Sequence, residues 1–423
     1  MGGITDLVTI RSLLYAIRRS VYKDNDKGIE NLFSLGFLGA FSVLLSNIKD
    51  EDALAEAAWC LVNISANPSY TESIIELDIH RKIITLLKEG VVMSQEGFMI
   101  VLGNIMSDEV HFQDKELVQD LTNYILKQLE RNVIPIQFLK IISWLLSRFS
   151  YVNAFSNNVV IYNQMNKLLA VEDTEVTASV LKAFANITSK DKSLLKKVHE
   201  AINIERLINL IKLNDTQIIA IRVLGNLCKG PHECVDEIAK KGGFDLLQSL
   251  LSNTGDTTLQ WEICRALSNV TSEPNSHTGY LLNSNVFPKL FNLCKDGVAD
   301  VRKEAAWAIA NASIEADKEQ SVELIKMGVI SALAKGIEIS NPTLQELIMW
   351  AIDNLLSAGI SKSGENHLSE VFEAEGGIEL LEGLYMHMNE DIQKKAKSMM
   401  QKYFPNKEES DLLGESIMNL IEE

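Results

Sequence analysis

The chain has 423 residues and a formal net charge of −17, with 46% hydrophobic residues, 23% charged residues and seven prolines. This composition is that of an ordered protein. Its acidic balance argues against nucleic acid as a partner, because phosphate binding needs clustered Lys and Arg, whereas it is compatible with a cationic partner such as a basic peptide. No stretch approaches the ~18 continuous apolar residues of a membrane span, so we expect no membrane partner.

The cysteines and the N-terminus indicate where the protein works. The five cysteines form no CxxC pair and no even framework, which predicts buried or half-buried side chains in a reducing compartment. The N-terminus MGGITDLVTIRSLL has no charged region followed by an apolar run and a cleavage site, so we expect no signal peptide. The cytoplasm and the nucleus are the expected locations.

Motifs for catalysis are absent from the sequence. The seven histidines form no HExxH pattern, there is no GxGxxG or P-loop, and no Cys/His or Ser/His arrangement recurs. We therefore expect no enzyme activity, no metal and no cofactor.

In chain order, residues 1–48 come first and are predicted to form a capping repeat, in which Ile10, Leu14 and Ile17 belong to one helical apolar stripe. One pattern then recurs to about residue 360. It pairs an anchor position with the position four residues later, one helical turn away on the same face. The eight pairs are Trp59/Asn63, Ile100/Asn104, Trp144/Arg148, Lys182/Asn186, Arg222/Asn226, Arg265/Asn269, Trp307/Asn311 and Trp350/Asn354. The second members lie 38 to 44 residues apart, a period typical of armadillo or HEAT arrays.

The face opposite the anchors is apolar in every unit. The residues two before, two after and five after the anchor are all apolar, and around Trp307 they are Ala305, Ile309 and Ala312. Each unit therefore has a helix with a buried core face and an opposite face, here called the anchor face, that carries the anchor and the residue four later. Trp261 lies outside this register and is predicted to be a core residue.

Shorter helical pieces lie between these helices and meet at Gly-apolar hinges, for example at Gly36, Gly243 and Gly328. Three helices per unit favour armadillo over HEAT repeats. We therefore predict an all-α fold, an armadillo-repeat right-handed superhelical solenoid of about nine to ten three-helix repeats spanning residues 1–404.

The C-terminal end of the chain is predicted to close the array. Residues 366–404 form a second capping repeat, and its Lys-rich face from Lys394 to Lys402 is expected to lie towards solvent. Residues 405–423 follow as an acidic C-terminal tail.

The anchor face carries groups suited to a basic peptide. A ladder of asparagines at one-unit spacing supplies donors and acceptors for an extended peptide backbone. Tryptophan rings one turn away can hold the stems of Lys or Arg, with a cation–π attraction of about 0.5–2 kcal/mol each. Candidate acids are Asp108, four residues beyond Asn104, and Glu304, three before Trp307. Any single Asn can instead bridge to the next repeat and a lone Trp can be packing, but their shared register favours a binding groove.

Four stretches carry a family resemblance: EAAWCLVNIS (56–65), RVLGNLCKG (222–230), RKEAAWAIANAS (302–313) and EAEGGIELLEGLYMHMNEDIQKKAKSMMQKYF (373–404). They resemble the importin α family, the armadillo adaptors for classical nuclear localisation signals, and the similarity runs from Ile4 to about Phe404. The resemblance implies a major and a minor site for basic peptides. The implied major-site residues are Trp59, Asn63, Asn104, Asp108 and Trp144. The implied minor-site residues are Arg222, Asn226, Asn269, Glu304, Trp307 and Asn311, and Asn354 continues the ladder.

The sequence departs from the family pattern at several positions. Ile100 replaces an anchor Trp, Arg148 replaces an Asn, and Arg265 replaces another Trp. A cation in the groove should repel a Lys-rich peptide. The basic N-terminal segment with which the family recruits importin β is not in the sequence; either the sequence is a trimmed one, or importin β is not used in the usual way. We therefore do not expect importin β as a partner.

Two functions follow from this reading. The first is an importin-α-like adaptor that binds basic nuclear-localisation-type peptides of other proteins for nuclear protein import. The alternative is a diverged armadillo scaffold subunit of a larger assembly, for example a cytoskeletal or ciliary one, without cargo transport. The departures at Ile100, Arg148 and Arg265 favour that alternative, and its location would be the cytoskeleton or the cilium.

Overall fold

The computed structural model describes residues 6–22, 26–106, 114–150, 158–272, 278–360 and 366–405. Asp108 and the predicted acidic tail from 406 onwards lie outside the described residues. The described ranges contain 26 α-helices, which confirms the all-α prediction. Clustering of contacts divides the chain into two units, Met1–Ile219 (unit 1) and Ala220–Glu423 (unit 2).

Unit 1 consists of helices joined by short connections. They are α1 (Leu7–Ser20), α2 (Asp26–Ser34), α3 (Phe37–Asn47), α4 (Glu51–Ser65), α5 (Thr71–Glu76), α6 (Ile79–Glu89), α7 (Gln95–Ile105), α8 (Lys115–Leu129), α9 (Ile136–Phe149), α10 (Val159–Leu168), α11 (Thr174–Lys190), α12 (Lys192–Ala201) and α13 (Ile204–Ile211). The next helix, α14 (Asn214–Leu227), contains the boundary between the units.

Unit 2 continues with the same alternation of short and long helices. They are α15 (His232–Lys240), α16 (Gly243–Asn253), α17 (Thr257–Val270), α18 (Thr278–Asn283), α19 (Phe287–Asp296), α20 (Ala299–Glu315), α21 (Lys318–Lys326), α22 (Val329–Ile337), α23 (Pro342–Ala358), α24 (His367–Ala374), α25 (Gly377–Gly383) and α26 (Glu390–Tyr403). Within the described ranges no single helix is long and apolar enough to cross a membrane, although the bent pair Lys27–Ser34 and Phe37–Asn47 meets the length and composition criteria together.

Four of the helices that carry anchor positions begin at polar caps. Asp50 accepts a hydrogen bond from the backbone nitrogen of Ala53 at 3.0 Å, which satisfies one free donor of α4. The side chains of Asp173, Asp256 and Asn341 do the same for α11, α17 and α23. These caps fix where those four helices start, whereas α7, α9 and α20 begin without a side-chain cap.

The hinge before the second helix of a repeat is a residue in the left-handed backbone region. Gly36, Gly328 and Gly376 have φ values of 68°, 90° and 79°, a conformation that glycine adopts at little cost. The prediction of Gly243 was wrong by one residue, since Gly242 has the φ of 75° and Gly243 is the first residue of α16. Non-glycine residues take the same conformation at two further hinges, Asp78 and Asn285.

The long helices stack in each unit and bury their predicted core faces. Unit 1 packs α1, α4, α7, α9 and α11 in succession, and unit 2 packs α17, α20, α23 and α26. The core positions predicted from the repeat are at most 1% exposed wherever the structure describes their side chains. This burial provides most of the hydrophobic stabilisation that joins one repeat to the next.

All five cysteines are free and buried, as the sequence predicted. Burial raises the pKa of the Cys60, Cys234 and Cys294 thiols to about 12. These thiols are therefore protonated and unreactive near neutral pH.

Candidate functional site

The asparagines of the ladder form hydrogen bonds between neighbouring repeats. In unit 2, Nδ2 of Asn269 donates to the carbonyl oxygen of Gly225 at 2.9 Å, and Nδ2 of Asn311 donates to that of Ser268 at 3.3 Å. In unit 1, Nδ2 of Asn186 donates to the carbonyl oxygen of Ser147 at 3.2 Å. Each acceptor is the residue immediately before the ladder position of the preceding repeat. The same bond therefore recurs from repeat to repeat.

The ladder continues at its two ends with related bonds. Asn354 donates to the carbonyl oxygen of Ser313 at 2.8 Å, and Asn104 donates to Oγ of Ser65 at 3.1 Å. An Nδ2 that makes one such bond keeps a second N–H for a peptide, whereas the Nδ2 atoms of Asn186 and Asn354 each donate two bonds within the chain. Asn311 and Asn354 are half-buried and expose part of their amides, whereas Asn226 and Asn269 are only 3% and 6% exposed.

Four of the six predicted minor-site residues, Asn269, Glu304, Trp307 and Asn311, meet in one open pocket, which Arg222 and Asn226 do not line. We call it the Trp307 pocket; its lining includes Arg265, Asn269, Lys303, Glu304, Trp307 and Asn311. Burial raises the pKa of the Glu304 carboxyl, although Arg265, Lys303 and Lys229 act in the opposite direction. The structure thus brings together the acid, the aromatic ring and the amide that the sequence predicted to act together.

A buried carboxylate that the sequence reasoning missed neutralises the neighbouring arginines. Glu262 has a fully buried side chain, and its Oε2 accepts hydrogen bonds from Nε and Nη2 of Arg222 at 3.1 and 2.7 Å. Its Oε1 accepts from Nη2 of Arg265 at 2.5 Å. Glu262 stands three residues before the anchor Arg265, the same offset as Glu304 before Trp307. That shared offset is the signal that could have found it.

The predicted core residue Trp261 is instead half-buried, and its ring centroid lies 5.6 Å from the guanidinium carbon of Arg265. The prediction failed because the residue before Glu262 stands beside the charged cluster, where an arginine covers the indole. Arg265 is therefore held on both sides, by a carboxylate and by an aromatic ring.

In unit 1, the predicted slot on Trp144 is filled by the chain itself. The guanidinium carbon of Arg148, one helical turn later, lies 5.4 Å from the centroid of the Trp144 ring. The indole also packs so closely against Gly103 that a Cβ there would lie 2.3 Å from its ring. Trp144 thus has one side against α7 and a cation of its own helix on the ring.

The other predicted unit 1 residues lie near the first helix. Trp59 is 39% exposed and lines a pocket with Asn63, Arg18 and Arg19. Arg18 forms an ion pair with Glu56 at 3.2 Å. The structure therefore brings Trp59 and Asn63 together as predicted, but two cations of α1 share their pocket.

The last anchor, Trp350, is 59% exposed, and one lysine of the closing helix lies over its ring. The ammonium nitrogen of Lys395 lies 4.0 Å from the centroid of the Trp350 ring and is paired with Asp353. Asp353 also accepts hydrogen bonds from Lys402 at 3.1 Å and from the Tyr403 hydroxyl at 2.5 Å. The prediction that the Lys-rich face lies towards solvent is therefore wrong for Lys395, which Asp353 draws towards α23, whereas Lys402 pairs with Asp353 and stays 49% exposed.

Metal ligation finds no support in the described part of the chain, where no group of three or more His, Cys, Asp or Glu side chains is arranged to hold an ion. The polar groups that the structure gathers are instead cations, carboxylates and amides beside tryptophan rings. Such groups suit the binding of a peptide.

Comparison with known proteins places the chain among armadillo proteins. A family model described as an atypical Arm repeat matches residues 366–416, and one described as an armadillo/beta-catenin-like repeat matches residues 274–314. Importin subunit alpha-5 of Arabidopsis thaliana is 25% identical over 401 residues, which are 93% of this chain and 77% of that protein. Importin subunit alpha-1b of Oryza sativa subsp. japonica is 24% identical over 392 residues, which are 90% of this chain and 73% of that protein.

Solved structures support the same fold. An engineered protein matches with a TM-score of 0.80 and 24% identity, covering 94% of this chain and 96% of that chain. A designed armadillo repeat protein in complex with the peptide (KR)4 matches with a TM-score of 0.51 and 27% identity, covering 57% of this chain and 99% of that chain. The repeated helices, the armadillo family models and the solved structures agree that the chain has an armadillo-repeat fold, and along nearly its whole length it is similar to importin α subunits.

Proposed function

We propose that this protein is an adaptor that binds basic, nuclear-localisation-type peptides of other proteins and takes part in nuclear protein import, with the Trp307 pocket as its main binding site. The observation that carries the proposal is the meeting of Glu304, Trp307 and Asn311 in one open pocket. Among the described residues, the Trp307 ring has no cation of the chain over it, unlike the rings of Trp144 and Trp350.

Each group in the pocket has a role towards a basic peptide. The Trp307 ring takes the stem and charge of a Lys or Arg, and the attraction is about 0.5–2 kcal/mol. The Glu304 carboxylate pairs with the same cation. Nδ2 of Asn311 donates one hydrogen to the carbonyl oxygen of Ser268, so its second N–H and its Oδ1 are left for a backbone C=O and N–H of the peptide.

The neighbouring cations limit the affinity of the Trp307 pocket for a basic peptide. Arg265 is held by Glu262, so a ligand meets a paired guanidinium. Lys303 also lines the pocket and, in the described part of the chain, has no carboxylate within ion-pair distance. We therefore expect the affinity for a Lys/Arg peptide to be modest and to fall with salt, since exposed charges are screened.

The predicted major site contributes less in this proposal. Arg148 covers Trp144, and two arginines of α1 line the pocket at Trp59. A basic ligand binds less favourably at a filled or cationic position than at an open one, because the cation already there must first be displaced.

The comparisons support a peptide ligand of this class. The relatives at 24–25% identity over about 90% of the chain carry the name importin subunit alpha. The designed armadillo protein in complex with (KR)4 presents a related fold to alternating Lys and Arg. Cytoplasm and nucleus are the locations that fit this function.

Hydrogen exchange of the full chain with and without (KR)4 tests the proposal. Bound peptide should slow exchange at the C-terminal half of α20, which carries Trp307 and Asn311, and change little in α9. Protection in α9 without protection in α20 would reject the assignment, and so would no protection at all at low salt.

A second function rests on a different observation. Arg148 and Lys395 fill the slots at Trp144 and Trp350 from within the chain, which suits a scaffold that has given up cargo binding and belongs to a larger cytoskeletal or ciliary assembly. Recovery of the tagged protein in a stoichiometric cytoskeletal complex, together with no binding of (KR)4, would favour the scaffold over the adaptor.

A further inference from the structure

The anchor face of unit 1 carries two cations on neighbouring helices. Arg148 lies in the last turn of α9 and is half-buried, and Lys182 lies on α11 and is exposed. Among the described residues, neither cation has a carboxylate within ion-pair distance. We propose that Arg148 and Lys182 form a subsite for an anionic side chain, a carboxylate or a phosphate, of an extended peptide.

The hydrogen bonds of Asn186 place Lys182 about one helical turn from the level of Arg148 on the neighbouring helix. Nδ2 of Asn186 donates to the carbonyl oxygen of Ser147 and to Oγ of Ser150, at 3.2 and 2.9 Å. Asn186 therefore lies level with the turn of α9 that contains Arg148. Lys182 precedes Asn186 by four residues, so it lies one turn back on the same face of α11.

Arg148 is held in place before any ligand arrives. Its guanidinium carbon lies 5.4 Å from the centroid of the Trp144 ring, and that ring is itself packed against Gly103. A cation stacked on a fixed ring loses less side-chain freedom when it binds an anion. The planar guanidinium can donate two parallel hydrogen bonds to a carboxylate or a phosphate.

Other cations on these long helices show what is missing here. Lys140 of the same helix contacts Glu175 at 2.7 Å and Asp173 at 3.4 Å, and Arg222 is paired with Glu262 at 2.7 Å. The chain has 57 acidic residues and 40 basic ones, so carboxylates are plentiful. Arg148 and Lys182, which no carboxylate of the described residues pairs, lie about one turn apart on neighbouring helices and can therefore share an anion that a partner supplies.

The charge of the subsite selects the class of partner. A stretch of an acidic or phosphorylated peptide brings single anions on an extended backbone, which matches two cations and a few amides. A nucleic acid brings a continuous row of phosphates and would meet the overall charge of −17. The inference does not depend on the Trp307 pocket, because all of its residues are in unit 1.

Fluorescence anisotropy of the full chain with four labelled short peptides tests the proposal. Three of them alternate serine with glutamate, glutamine or lysine, and the fourth alternates phosphoserine with glutamine. We expect the two anionic peptides to bind more tightly than the glutamine peptide. Arg148→Gln or Lys182→Gln should weaken anionic binding by about threefold, and the double variant by about tenfold.

A matched variant keeps the result interpretable. Lys167→Gln removes one exposed cation from α10 in the same unit and should leave anionic binding unchanged. Thermal melts should show that each variant is folded. The two anionic peptides together show whether a carboxylate or a phosphate is the better ligand.

Three results would overturn the proposal. The first is equal affinity of the wild type for the glutamate, phosphoserine and glutamine peptides at low salt. The second is unchanged anionic binding in a folded Arg148→Gln/Lys182→Gln double variant. The third is displacement of the bound peptide by a single-stranded oligonucleotide at least as effective as that by unlabelled glutamate peptide, which would assign the subsite to nucleic acid.

Discussion

The ammonium nitrogen of Lys395 lies 4.0 Å from the centroid of the Trp350 ring and is paired with the Asp353 carboxylate. The closing helix thus supplies, from within the chain, a cation like the one that we propose a ligand supplies at the Trp307 pocket. The ring and acid that hold Lys395 are on α23, next in the stack to α20, which carries Trp307 and Glu304. At Trp350 the cation belongs to the chain itself, whereas at Trp307 we propose that it belongs to the bound peptide.

Removing this internal cation should loosen the closing repeat. Lys395→Met keeps an apolar stem over Trp350 but loses the ion pair and the cation–π contact, and we expect the free energy of local opening to fall by about 1–2 kcal/mol. Hydrogen exchange of α26 measures this directly. Lys394→Met, an exposed neighbour on the same helix, is the control, and equal exchange in both variants would contradict the expectation.

Asp353 should give the closing repeat a dependence on acid pH. Burial opposes its ionisation, but hydrogen bonds from Lys395, Tyr403 and Lys402 hold the pKa of Asp353 below its ordinary value of 3.8. A lowered pKa in the folded state means that the stabilisation is complete above the ordinary value and is lost as the pH falls through the folded value. The protection of α26 against exchange, corrected for the intrinsic amide exchange rate at each pH, should therefore fall below about pH 4.

The variant Asp353→Asn isolates this contribution. Other carboxylates also lose their partners in acid, so the informative quantity is the difference between wild type and variant at each pH. We expect that difference to be largest near neutral pH and to shrink as the pH falls below about 4. A difference that does not change with pH would exclude Asp353 as the titrating group.

Glu262 should contribute more to stability than an exposed ion pair. Glu262→Gln leaves Arg222 and Arg265 facing each other without the buried carboxylate, and we expect a loss of about 2–4 kcal/mol in the free energy of unfolding. Urea denaturation is the measurement. Glu338→Gln is the control, because it removes the ion pair between Glu338 and Lys335, two side chains that are each 54% exposed. It should lower the free energy of unfolding by less than about 1 kcal/mol. Equal losses of unfolding free energy in Glu262→Gln and Glu338→Gln would show that the burial of Glu262 does not add to stability.

Restoring the repeat pattern at position 148 should improve the binding of basic peptides in unit 1. Arg148→Asn removes the cation over Trp144 and allows a Lys or Arg of the ligand to take its place. We expect the affinity for (KR)4 to rise by about threefold to tenfold. Isothermal titration calorimetry of (KR)4 with Arg148→Asn in a Trp307→Ala background measures the binding in unit 1 alone. An unchanged or lower affinity would mean that Arg148 does not obstruct this slot.

Much of the fold is predictable from the sequence because the repeat fixes the position of each core residue. The apolar residues around Trp307, namely Ala305, Ile309 and Ala312, are fully buried as expected. Local preferences are enough for this, since each long helix repeats the same packing against its neighbour. The hinge at Gly242 was misplaced by one residue because two adjacent glycines give equal local signals.

The candidate site is less predictable because it depends on contacts between distant residues. The contact of Lys395 with Trp350 joins residues 45 positions apart and requires the closing helix to dock first. Glu262 stands in the same register position as Glu304, yet its role becomes visible only when Arg222 of the preceding long helix reaches it. Periodicity locates a residue on a face but does not identify its partner.

The most direct test of the account is a titration of (KR)4 against the wild type, Trp307→Ala and Trp350→Ala at low salt. The account predicts binding by the wild type, a loss of about tenfold or more in Trp307→Ala, and little change in Trp350→Ala, because Lys395 already fills that slot. Equal affinity of Trp307→Ala and the wild type, or binding of (KR)4 no tighter than that of a neutral peptide, would contradict it.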